Sequence, residues 1–129
     1  MKTHPKGRLL LLLAILAIPG ATEAQQSRND RATRASGEAA YLRVGCDSCH
    51  GTVGHGGAAP KLAPDTLPLP AFEIWVRRGS PNWGIIVGMP AFHEGVLTDE
   101  ELEAIHAYLS SLPEPKTADA IPLLGDAAD

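Results

Sequence analysis

The sequence predicts an all-α domain in which three main helices are joined by long loops, and three observations carry that expectation. Near the end of the chain, Leu102, Ile105, Leu109 and Leu112 recur at helical spacing behind a Thr98-x-x-Glu101 capping box. Two shorter stretches, one running into Gly45 and one from Pro70 into Gly79, pair an apolar helical face with a glycine stop. The stretch from Gly51 to Leu69 is dense in glycine and proline and shows neither helical nor strand periodicity.

Residues 1–24 read as a secretory signal peptide. Lys2, Lys6 and Arg8 form a positive region, Leu9 to Ile18 an apolar run, and Ala21-Thr22-Glu23-Ala24 a small-residue exit consistent with cleavage after Ala24. The apolar run covers ten residues before Pro19-Gly20 ends it, whereas a spanning helix needs about twenty. Stable membrane insertion is therefore not expected, and an exported, periplasmic location is. Gln25 to Ala35 is polar, carries Arg28, Arg31 and Arg34, and reads as a flexible lead-in. Ser36 then caps a helix from about Gly37 to Val44, with Ala40, Tyr41 and Val44 on its apolar face and Gly45 ending it.

That helix delivers the chain to Cys46-Asp47-Ser48-Cys49-His50, a C-x-x-C-H run. Two thiols at this spacing can add to the two vinyl groups along one edge of a porphyrin, which brings the next residue, His50, under the ring as an iron ligand. One covalently attached haem c is the cofactor expected. A thiol redox pair would need a strand-to-helix context, and Gly51-Thr52-Val53-Gly54-His55-Gly56-Gly57 is too rich in glycine to start a helix. A zinc site would need His50 and His55 to complete the donors of Cys46 and Cys49.

Within the following loop, the Pro60 carbonyl is placed to accept the His50 imidazole proton if the two come close; otherwise Pro60 merely stiffens a turn. Pro70 opens a short helix to Arg78 with Phe72, Trp75 and Val76 on one face. Arg77 and Arg78 in its last turn suit the helix dipole or a haem propionate. Met1 leaves with the leader, so Met89 is the one methionine of the mature chain; its place in a loop before Pro90 suits a second axial ligand, although loop methionines more often pack. Leu97 and Leu102 occupy the positions of a hydrophobic staple around the capping box, Glu100, Glu101 and Glu103 turn outward, and Pro113 closes the last helix. His106 reads as a histidine of that helix surface. Residues 114–129 are acidic, contain Pro115 and Pro122, and read as a disordered tail after a domain spanning residues 36–113.

Composition narrows the partners. Removal of residues 1–24 leaves eight basic against fourteen acidic residues. An acidic chain without a basic patch is not suited to nucleic acid or to anionic membrane surfaces, and better suits a protein with a basic docking face. Both cysteines lie in the motif, so no disulfide is left to staple a small fold, and a buried haem would supply the missing apolar surface.

From about Ser36 to Pro113 the chain resembles the class I cytochrome c family. The similarity rests on a helix leading into Cys46 to Gly51, the loop residues Pro60 and Leu62, the Met89-Pro90-Ala91-Phe92 run, and a capped terminal helix. The resemblance implies a small cytochrome c fold, three main helices and long loops wrapped around one covalently bound haem. It further implies His50 and Met89 as axial ligands, Cys46 and Cys49 as thioether attachments, and the Pro60 carbonyl as the partner of His50. Contact between first and last helices is implied through Gly37, Tyr41 and Tyr108, and approach of Arg77 or Arg78 to a propionate. Two departures stand out. Tyr41 lies one residue further from the first cysteine than in many small members, and Ser80 to Gly88 is longer than the usual approach to the methionine, with Trp83 placed to flank the haem edge.

The function expected is electron transfer without catalysis: electrons received from a periplasmic dehydrogenase and passed to another cytochrome or an oxidase. A narrower similarity is to the haem subunits of such dehydrogenases. The alternative is a haem enzyme or a sensor of gas or peroxide with an open sixth iron position. A third reading is a docked subunit that serves assembly alone.

Overall fold

In a computed structural model, residues 19–81, 88–117 and 120–121 are described, and they form α1 (Pro19–Arg43), α2 (Asp47–His50), α3 (Leu69–Arg78) and α4 (Asp99–Ser110). No strand occurs among them, so the fold is all-α. Where three main helices were expected, four helices are present among the described residues, α2 being a single turn that carries the motif.

The first helix is far longer than its apolar face. In place of the flexible lead-in expected over residues 25–35, α1 runs unbroken through them, and the residues from 22 to 36 are all exposed. Ser36 is accordingly not a cap; its hydroxyl donates to the Thr33 carbonyl within the helix at 2.8 Å. No apolar stripe holds this half. What supports it is helix-competent sequence and side-chain pairs one turn apart, Gln25 to Asn29 at 3.0 Å and Gln26 to Asp30 at 3.1 Å. The apolar run of the leader, Leu9 to Ile18, lies outside the described residues, as do 122–129 of the tail.

The other half of α1 packs on α4, the principal helix contact of the fold. Gly37 and Ala40 bring the two backbones together, and a Cβ at Gly37 would stand 2.0 Å from the Ala104 carbonyl oxygen. One turn on, the rings of Tyr41 and Tyr108 meet at 5.9 Å between centroids. The expected contact through Gly37, Tyr41 and Tyr108 is thus present. Around it, Tyr41, Leu97, Leu102, Ile105 and Leu109 are fully buried, each apolar side chain contributing roughly 1.5–3 kcal/mol. Leu97 and Leu102 flank a complete capping box: Glu101 N–H donates to the Thr98 hydroxyl at 3.2 Å, and Thr98 N–H to the Glu101 carboxylate at 3.1 Å.

In α3, Phe72 and Val76 are buried one turn apart, while Trp75, expected on the same face, is 52 % exposed. The helical repeat turns Trp75 to the edge of that narrow stripe. Among the described residues no buried side-chain polar atom lacks a partner, and no helix is long and apolar enough to cross a membrane.

Candidate functional site

The end of α1 places the first cysteine. Gly45 takes a left-handed φ of +81°, its N–H donates to the Leu42 carbonyl at 3.2 Å, and Cys46 N–H reaches back to the Tyr41 carbonyl at 3.1 Å. This pair of bonds is a Schellman closure. It ties Cys46 to the best-buried residue of α1 and absorbs the extra residue between Tyr41 and the motif. The chain then makes one helical turn, with His50 N–H donating to the Cys46 carbonyl at 3.0 Å. Cys46 and Cys49, three apart, therefore share a face of that turn.

Protein groups pin the glycine-rich loop. Gly56 N–H donates to the His50 carbonyl and Ala59 N–H to that of Cys49, each at 2.9 Å. Gly51 is held on the other side, its carbonyl accepting the Tyr41 hydroxyl at 2.7 Å. Further along, Leu62 and Ala63 both donate to the Gly54 carbonyl, and His55 donates from Nε2 to the Pro113 carbonyl at 2.9 Å. His106 donates to the Leu67 carbonyl at 2.8 Å and packs its ring on the edge of Phe72. The surface histidine of the sequence thus latches this loop to α4, beside the Ser110 hydroxyl, which donates to that of Thr66 at 3.2 Å.

These pins bring Pro60 to His50, the carbonyl oxygen lying 2.8 Å from Nδ1. A proline carbonyl can only accept, so Nδ1 carries the proton, and in the neutral imidazole Nε2 is the nitrogen with the lone pair. Both thiols are free. Burial, with Asp47 adding, pushes the Cys46 thiol up to about 11, the opposite of the lowered value a thiol redox pair uses. His55 is spent on Pro113, and among the described residues no three His, Cys, Asp or Glu side chains converge to hold a metal ion. The zinc reading finds no four-donor cluster among the described residues.

Met89 belongs to the segment that returns to the end of α3. Phe92 N–H donates to the Val76 carbonyl at 3.0 Å, and Arg77 clamps the segment from the other side. Its Nη1 donates to the carbonyls of Phe92 and Leu97 at 3.0 and 2.8 Å, while Nη2 pairs with Asp99. Arg77, expected near a propionate, is committed to these loop carbonyls. Arg78 is exposed and has no hydrogen bond or ion pair among the described residues. Trp83 lies outside the described residues. The clamp by Arg77 carries no local sequence signal, because its acceptors are carbonyls brought near only by the folded path of residues 92–97.

The residues present fit a haem. Two unpaired thiols and an imidazole with an open Nε2 stand on one turn, and the half-buried Cys46, Leu62, Leu69, Met89 and Phe92 all pack on the same core. Ile74 and Trp75 of α3 remain about half exposed, so apolar surface is available to a flat apolar ring. The fit is one of donor chemistry and available apolar surface, and no charged side chain is buried among the described residues.

The family model for cytochrome c oxidase, cbb3-type, subunit III, matches residues 32–109, more than half of the chain. No curated protein and no solved structure shows significant similarity to it. The matched residues contain the motif turn, the pinned loop, the Met89 segment and the crossing of α1 with α4. With its C-x-x-C-H turn supporting haem c binding and a role in electron transfer, the chain is a c-type cytochrome domain and belongs to the family of cbb3-type cytochrome c oxidase subunit III.

Proposed function

We propose that the chain is a non-catalytic electron carrier of the class I cytochrome c kind, with one haem c held by Cys46 and Cys49 and ligated by His50 and Met89. The observation that carries this reading is the 2.8 Å contact between His50 Nδ1 and the Pro60 carbonyl. It supports the reading because a carbonyl at Nδ1 orients the ring and, in the neutral imidazole, leaves Nε2 available to ligate. When bound, the haem supplies reversible one-electron exchange at iron.

The chain's own residues do the rest. Cys46 and Cys49 provide two thioether tethers, and the Schellman closure at Gly45 keeps the first of them against Tyr41. Pro60 orients His50. Met89 offers a thioether, which favours the reduced state and raises the potential. Half-buried Leu62, Leu69 and Phe92 exclude water from the apolar side of the site. Export by residues 1–24 would place the protein in the periplasm. The family match favours a partner in a terminal-oxidase type of respiratory complex, as the acceptor of electrons that a dehydrogenase or another cytochrome supplies.

Carbon monoxide binding to the reduced protein at neutral pH, beside a haem stain on a denaturing gel, tests the proposal. Covalent haem with slow, weak binding in the wild type and fast binding in Met89→Ala is the expected result. Fast, tight binding in the wild type would point instead to the open-position enzyme or sensor.

A further inference from the structure

The stretch from Ser80 to Met89 leaves the end of α3 and comes back to it, and its two ends are tied to one another. Ser80 N–H donates to the Met89 carbonyl at 2.9 Å. Met89 N–H donates to the Ser80 hydroxyl oxygen, also at 2.9 Å. Both backbone polar groups of Met89 are therefore satisfied by a single residue.

Glycines on either side make this approach possible. Gly79 has a φ of +66°, and a Cβ there would stand 2.4 Å from the Met89 carbonyl oxygen and 2.9 Å from the Ala91 nitrogen. A Cβ on Gly88 would lie 2.2 Å from the Ser80 carbonyl oxygen. The two backbones are in van der Waals contact with no side chain between them. Whatever path the intervening residues take, the segment is pinched shut at its base. After the pinch the chain is held again, by Phe92 on Val76 and by Arg77 on Phe92. Met89 thus sits between two fixed points, and the Ser80 hydroxyl is the part of the nearer one that a side-chain substitution removes.

We propose that Ser80 is a positioning residue for Met89: its hydroxyl holds the Met89 backbone and thereby keeps the thioether where it meets the iron. The inference rests on Met89 being the second axial ligand. For an external ligand to reach the iron, the Met89 sulfur must leave, and the backbone that carries it must yield. A bond to Met89 N–H opposes that movement. Losing one neutral hydrogen bond shifts such an equilibrium by roughly fivefold, and by several tens of fold when the N–H is left without a partner away from water.

The test compares haem-loaded wild type with Ser80→Ala, Ser80→Thr, Ser80→Cys and Met89→Ala, reading carbon monoxide binding to the reduced protein, the methionine–iron band of the oxidised protein, and the midpoint potential. Ser80→Ala is expected to bind carbon monoxide roughly five- to fiftyfold faster than wild type, with a weakened band and a lower potential. Ser80→Thr keeps the hydroxyl acceptor and should match wild type, and Ser80→Cys, a weaker acceptor of similar size, should fall between. If Met89→Ala binds quickly while Ser80→Ala and Ser80→Cys keep the wild-type rate, band and potential, the role of Ser80 is refuted and the Met89 ligation stands. If wild type itself binds quickly and Met89→Ala does not differ from it, the ligation reading fails, and the role of Ser80 falls with it.

Discussion

Gly37→Ala should destabilise the protein even though alanine is the better helix former. In an exposed helix the exchange would gain about 1 kcal/mol. Here the new Cβ would stand 2.0 Å from the Ala104 carbonyl oxygen, 2.5 Å from its carbon and 2.9 Å from Tyr108 Cβ, where ordinary contact begins at 3.4 Å. The obstruction is backbone, which cannot swing aside, so α1 and α4 must part by more than an ångström at their crossing. A radial gap of about 0.5–1 Å already forfeits a quarter to a half of each van der Waals contact, and the contacts at risk are those of Ala40, Tyr41, Ile105 and Tyr108. Overpacking costs about 1–3 kcal/mol, and a backbone clash belongs at the upper end, leaving a net loss of about 2 kcal/mol after the propensity gain. For a domain of this size that lowers Tm by roughly 8–16 °C. Thermal unfolding of the haem-loaded protein by far-UV circular dichroism measures it. Ala39→Gly, at an exposed position of the same helix, serves as the comparison, with an expected loss of about 1 kcal/mol. A Gly37→Ala protein at least as stable as wild type would refute the close crossing.

Two further perturbations probe the supports of the site. The Glu101 carboxyl is held below its usual range first by the Thr98 N–H it accepts and also by Arg43 at 2.7 Å. Because the folded state binds that proton less readily than the unfolded chain, its contribution is present above the unfolded carboxylate value and is lost as pH falls through the lowered one. Glu101→Gln keeps a capping acceptor without the charge and should flatten the acid limb of a plot of Tm against pH; an unchanged limb would show that the charge plays no part. His106→Ala removes the bond to Leu67 and the edge contact with Phe72, a loss of about 1–2 kcal/mol. It should appear as a lower urea midpoint at constant m, and a wild-type midpoint would mean that the loop is not latched there.

The elements whose geometry follows from local chemistry were readable in the sequence. Thr98 and Glu101 satisfy each other's backbone without reference to any distant residue, so the start of α4 was visible, and the Leu102, Ile105 and Leu109 stripe is buried as its spacing predicts. The helix from Pro70 to Arg78 begins one residue earlier, at Leu69. The extent of α1 was hidden, because a polar helix without an apolar face gives no periodic signal, and its support comes from pairs such as Gln25 with Asn29. At the site, the C-x-x-C-H turn was legible because the cofactor's own dimensions set its spacing. The partners of the loops were not: His55 finds Pro113, His106 finds Leu67 and, in the segment after Met89, Leu97 accepts from Arg77, each a carbonyl whose position only the tertiary path decides.

The crossing of α1 with α4 joins Gly37 to Ala104, so residues near the two ends of the domain are clasped together and most of the cytochrome lies in the span between. For a chain fastened in this way, the entropy of closing the span grows only with the logarithm of its length, and doubling a flexible stretch costs about 0.6 kcal/mol. Length is therefore the least constrained property of the intervening segments, provided that their ends stay fastened. Ser80 and Met89 are fastened in this way. An insertion between them leaves the clasp, and the backbone that bears Met89, where they were. The domain can thus acquire a longer excursion beside its methionine, and with it a different outward surface, without rebuilding the frame that holds the haem.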